Sequence, residues 1–166
     1  MTRKEILDLL GAGAVDAKSS KADVLVLNTA PRPHRAFESY SLAISLSEGL
    51  LKVAAIGKDI VTNGYGEEIQ TAFKEICDAL SVTYGTPQIA DFLKTGSIWS
   101  EPREWTMGLL KKERELFALW NKDPRLAIVL ESRASSQEKG YLLLSYEFNG
   151  WEKYVNSKNA NEDKVF

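Results

Sequence analysis

Apolar and small polar residues alternate most plainly between residues 39 and 47, where Tyr40, Leu42, Ile44 and Leu46 interleave with Ser39, Ser41, Ala43, Ser45 and Ser47. A period of two puts successive side chains on opposite sides, so this stretch predicts a strand with one apolar and one small polar face. "SEG" then turns the chain into "LLKVAAIGK", which predicts a hairpin. Upstream, "DVLVLNT" predicts an earlier strand. "APRPHR" between them predicts a loop or a sheet edge, because its two prolines supply no ladder donors.

The period changes to that of a helix at Ile69, Ala72, Phe73, Ile76, Cys77 and Leu80, a series that ends at Gly85 with Pro87 just beyond. Thr2 and Glu5 have capping-box spacing, and Ile6, Leu9 and Leu10 follow as a short stripe that Gly11 ends, so a brief N-terminal helix is expected. Residues 12–22 are small, polar and aperiodic and predict a flexible connection.

A second long helix is expected over residues 101–120, capped by Ser100 with Pro102 in its first turn. At about 100° per residue, Trp105, Leu109, Leu116, Leu119 and Trp120 gather on one side, and Leu110 and Phe117 widen the arc. "RLAIVLES" and "YLLLSYEF" predict two strands, apolar on both faces and therefore central, and a last polar helix begins near Trp151. The order is α-βββ-αα-ββ-α. Its blocks favour the α+β class: one domain over 1–166, with helices packed on a mainly antiparallel sheet of about five strands.

Composition narrows the function. At 166 residues and 44% hydrophobic, the chain can bury a continuous core without staples. A net charge of −2 argues against a nucleic-acid partner held by phosphate neutralisation, although Arg32 and Arg35 flank His34 as a local basic patch. A single cysteine, Cys77, allows no internal disulfide and suggests a reducing compartment. "MTRKEILDLLGAG" has charges where a signal peptide needs an apolar core, and no apolar run approaches the roughly 20 residues of a membrane span. A soluble, cytoplasmic protein with no membrane partner is expected.

The catalytic inventory is thin. One histidine and one cysteine leave no parts for a Cys/His zinc site or a Cys–His pair, and no G-x-S-x-G elbow presents a serine. No metal and no cofactor are expected. His34 reads as an exposed loop histidine. "NGYGEE" at 63–68 reads as a helix start whose glutamates complement the dipole and would repel a phosphate. Cys77 reads as a small core hydrophobe.

The remaining signal is "GSIWSEPREWTMGLLKKERELFALW" at 96–120, which holds three of the four tryptophans. On the expected helix Glu113 would lie between Leu109 and Phe117, one turn from Trp120, in an apolar setting. Such a carboxylate pairs with a cation, reaches water at the domain edge, or becomes a perturbed acid or base in a ring-lined pocket. Trp105 and Trp120 have the spacing of core residues, whereas Trp99 and Trp151 start elements and are candidates for an exposed binding surface. The candidate binding residues are thus Trp99, Trp105, Glu113, Phe117, Trp120 and Trp151.

Three phrases, "YGTP" at 84–87, "GSIWSEPREWTMGLLKKER" at 96–114 and "GYLLLSYEF" at 140–148, together resemble small bacterial accessory proteins of the integron gene-cassette type. The resemblance implies no activity and no functional residue; accessory genes of this kind often encode toxin-neutralising or other binding proteins. The expectation is a non-enzymatic binding protein, immunity-like or homodimeric. The alternative is a small-molecule-binding protein or carboxylate-dependent hydrolase using Glu113, with Glu104 or Glu147 as second acid.

Overall fold

The computed structural model describes residues 1–11 and 13–162; Ala12, which falls in the predicted connection, and residues 163–166 lie outside the described residues. In chain order the elements are α1 (Arg3–Leu10), β1 (Val24–Leu27), β2 (Phe37–Ser45), β3 (Gly49–Gly57), β4 (Ile60–Val61), α2 (Glu67–Tyr84), β5 (Gln88–Leu93), α3 (Trp105–Leu110), β6 (Arg114–Asp123), β7 (Leu126–Ser136), β8 (Lys139–Phe148) and α4 (Trp151–Glu162). This is an α+β architecture on an antiparallel sheet. The sheet has eight strands, running β1-β2-β3-β8-β7-β6-β5 with β4 paired to β8, so the expected strand number and element order are corrected. β7 and β8 are central, as their two-sided apolar character demands. No helix among the described residues is long and apolar enough to cross a membrane.

The register sorts the side chains into two faces. Residues directly opposite one another share a face, so Leu25, Leu42, Val53, Tyr146, Ile128 and Trp120 form one row across six strands. A second row beside it runs Leu27, Tyr40, Ala55, Leu144, Leu130 and Ala118. Helices cover this face. Ile69, Phe73 and Cys77 of α2 and Trp105 and Leu109 of α3 pack into the larger core cluster, and Ile6 of α1 packs with Leu25, Leu27, Leu42 and Ile44. Each fully buried leucine or isoleucine contributes roughly 1.5–3 kcal/mol, so these rows carry the stability of the fold.

Local signals set the helix ends. Thr2 and Glu5 form the expected capping box on α1, with Glu5 N–H donating to Thr2 Oγ1 at 3.3 Å and Thr2 N–H to Glu5 Oε2 at 2.8 Å. At the start of α2, Thr62 Oγ1 donates to Glu68 Oε2 at 2.6 Å, and this bond holds the Glu68 carboxyl below its ordinary range. Ahead of β1 the chain is tied to the sheet edge: Val15 bridges Leu27, and Asp16 N–H donates to the Val26 carbonyl at 2.8 Å.

The long helix expected over residues 101–120 does not exist. Pro102–Glu104 is a 3-10 turn, α3 lasts six residues, and β6 begins at Arg114. The turn is preceded by Glu101, not Ser100, and Glu101 N–H donates to Glu104 Oε2 at 3.2 Å. α3 stops because Lys112 enters the left-handed region at φ 57. Lys112 N–H then donates to the Leu109 carbonyl at 3.0 Å and Glu113 N–H to the Gly108 carbonyl at 2.9 Å, which is a Schellman ending. The conformer is one that glycine usually supplies; with a lysine there, the sequence carries no stop signal. Beyond it Leu116, Ala118 and Trp120 turn to the core and Glu115, Phe117 and Leu119 to the other face, an alternation that an arc drawn for a helix had merged.

Candidate functional site

The six residues singled out from sequence do not share one recess. Trp105 and Trp120 are core residues on the helix-covered face. Trp120 also donates from Nε1 to the Gly85 carbonyl at 2.7 Å, tying β6 to the end of α2. Phe117 sits on the opposite face of β6 from Trp120, half-buried. Trp99 is half-buried in the loop before the 3-10 turn, where it lines an open depression with Val61, Gly64 and Met107. Trp151 lies at the far end, stacked on Tyr154 with ring centroids 5.8 Å apart, and Lys52 Nζ stands 4.7 Å from its ring.

Glu113 is the main correction. It occupies the tight turn between α3 and β6, half-buried, with its N–H and carbonyl both used by the backbone. It therefore has neither Leu109 and Phe117 one turn away on a helix nor Trp120 beyond them, and it lines none of the five main clefts. Its proposed companions stand elsewhere. Glu104 lines the Trp99 depression, and Glu147 is paired to Lys52 at 2.8 Å beside Trp151. Cys77 is buried, and burial pushes its thiol above the ordinary value. Among the described residues no group of three or more His, Cys, Asp or Glu is placed to hold a metal ion.

What the tertiary structure assembles instead is a face. On the side of the sheet away from α1, α2 and α3, one row runs Ser39, Ile56, Leu143, Glu131, Phe117 and Ala90. The row beside it runs Ser41, Ala54, Ser145, Val129 and Leu119. Phe92 follows along β5 and is 44% exposed, and Ile56 is 38% exposed, so water reaches both. Leu119, Val129 and Leu143 between them are half-buried. α4 approaches this side at one margin, where Lys52 meets Trp151 and where Tyr154 and Lys158 both donate to Asp23.

Two ion pairs lie on this face, while Glu115, on the same side of β6 as Phe117, is exposed and takes part in none of the ion pairs among the described residues. Arg133 Nη2 donates to Glu131 Oε1 at 2.7 Å near the middle of the face, and Lys52 to Glu147 at 2.8 Å at its margin. Apolar residues thus flank the Glu131–Arg133 pair, and Glu131 and Glu147 are each neutralised by a base of the same chain. Phe117 belongs to the face; the other predicted site residues do not. In the sequence Leu143 and Val129 read only as strand interior, and the signal for them is the apolar character of both faces of β7 and β8, which a helix-covered sheet needs on one face alone. Compared with known proteins, the chain matches no family model, no curated protein and no solved structure. The site therefore rests on geometry alone.

Proposed function

We propose that this is a non-enzymatic binding protein that pairs with a second copy of itself through the open face of its sheet. The single observation that carries the reading is the apolar row of exposed Ile56 and half-buried Leu143 and Phe117, together with exposed Phe92, on the side of the sheet away from α1, α2 and α3. A sheet face of this kind loses free energy to water at about 25 cal/mol per Å² until something apolar covers it. Sheets stack face to face about 10 Å apart, and an isologous two-fold pairing sets this patch against itself.

Charge favours a second copy over a charged partner. Glu131 and Arg133 already satisfy each other, as do Lys52 and Glu147, so among the ionised groups of this patch Glu115 beside Phe117 is the one that a two-fold pairing has to keep away from its copy. An acidic or basic protein would find no free complementary charge at the centre of the patch.

The test is the oligomeric state by sedimentation velocity, with Leu143→Glu and Val129→Glu as variants and circular dichroism as the check on folding. A wild-type dimer that both variants convert to a folded monomer is expected, because a buried unpaired carboxylate is costly. A wild-type protein that remains monomeric up to about 1 mM, or a dimer indifferent to both substitutions, overturns the reading. Should the wild type be monomeric and a different protein bind it in a Leu143-dependent manner, the face is an interface for that protein.

A further inference from the structure

The helix-covered side holds a second feature that the dimer reading does not use. α2 packs over β7 and β8, and α1 over β1 and β2, which leaves the middle of this face thinly covered. There a cleft of about 290 Å³ opens between α2 and the sheet. Its floor is Val53, Ala55 and Leu144, and its wall is Ile76, Ala79 and Leu80 of α2. Ala55 and Ala79 explain the space: two small side chains stand where larger ones would have closed the layer.

The mouth is polar and of one sign. Arg32 and His34, from the proline-bounded loop before β2, line it together with Tyr40, and no Asp or Glu lines the cleft. Arg32 takes part in none of the ion pairs among the described residues. His34 Nδ1 accepts from the Ala36 N–H at 3.2 Å, so in the neutral ring the proton sits on Nε2, where it can be donated. Tyr40 Oη accepts from the His34 N–H at 2.9 Å, which leaves its own proton unspent. Tyr146 at the inner end adds no negative charge, since burial, with Tyr84 beside it, pushes its hydroxyl well above the ordinary phenol range.

We propose that this cleft binds a small apolar monocarboxylic acid, its hydrocarbon body on Val53, Ala55 and Leu144 and its carboxylate at Arg32, the His34 Nε2–H and the Tyr40 hydroxyl. The volume is near the lower end for ligand pockets, which suits an aromatic acid or a short aliphatic one. Guanidinium and carboxylate make the strongest class of hydrogen-bonded pair, and a cation and two further donors lining one cleft that no carboxylate lines favour an anion. Polarity also orients the ligand. The neighbouring recess on the other side of His34 is of mixed sign, lined by Asp59 and Glu75 together with Arg35 and Lys58, whereas Arg32 and His34 face no acid in this cleft.

The experiment is a nitrogen-15 NMR titration of the full chain with octanoate and, in parallel, with 1-octanol, the same body without the charge. Octanoate is expected to shift the amides of Tyr40, Ala55, Ala79 and Leu144 and to bind at least about tenfold more tightly than octanol. Arg32→Ala, on an exposed loop, should weaken octanoate about tenfold and leave octanol unchanged. Ala79→Phe, which fills the cleft from the helix surface, should weaken both. Equal affinity for acid and alcohol, an Arg32→Ala protein that binds octanoate as before, or shifts confined to the open face of the sheet would each overturn the proposal.

Discussion

Gly66 shows how one backbone position holds two elements together. It precedes α2 at φ 69, and a Cβ built there would strike the ring of Trp105, which is packed into the core from α3. Two costs then add in a Gly66→Ala variant: the left-handed conformation, about 1–2 kcal/mol for a residue with a Cβ, and the displacement of a buried indole. Gly96 isolates the first cost, because its φ is 82 and nothing stands within 4 Å of the added carbon. Urea denaturation should therefore place Gly66→Ala at least about 2 kcal/mol below wild type and Gly96→Ala only about 1 kcal/mol below it. Equal losses would mean that the Trp105 contact is not rigid.

α4 is almost wholly polar, so its docking depends on specific pairs and not on a buried stripe. Asp23, at the entry to β1, accepts from Tyr154 Oη at 2.6 Å and from Lys158, and these bonds lower its carboxyl from 3.8 to about 2. A carboxyl depressed in the folded state stabilises fully above its ordinary value and loses that contribution as the pH falls through the folded one. The window is thus from about pH 4 down to about pH 2. With the pair near the surface, solvent screening leaves about 1 kcal/mol of this at neutral pH. Asp23→Asn should lose that amount near pH 7 and show a flatter stability profile across the window, read from urea midpoints at stepped pH. α3 and β6 teach a related lesson. A lysine in a left-handed conformation ended one helix and let a strand begin, and nothing in the run of residue types announced it.

For the molecule as a whole, the two faces of the sheet have different tasks. One is closed by α1, α2 and α3 apart from the His34 cleft, and the other presents Phe117, Leu119, Val129 and Leu143 around the matched pair Glu131–Arg133. Association through such a face is driven by apolar burial and has no ion pair across the interface to screen. Raising the salt from about 0.05 M to about 0.5 M should leave the dimer dissociation constant within about threefold or tighten it, measured by sedimentation equilibrium. A weakening of more than about tenfold would place ion pairs across the interface and reject the apolar stacking.

Wherever neighbouring residues alone set the geometry, the residue order determined the outcome. The capping box at Thr2, the α2 stripe of Ile69, Phe73 and Cys77, the β2–β3 hairpin and the two-sided β7 and β8 all follow from spacings of a few residues, because hydrogen bonding and burial repeat at those periods. Tertiary structure alone decided the rest. Whether Leu116 and Phe117 share a helix arc or part to opposite faces depends on β5 and β7 being present to pair with β6. The open face is a set of residues from six strands, and the cleft joins Arg32 and His34 to Ala79 and Leu144. Such sets have no period along the chain, since their members become neighbours only when the sheet's register has been formed.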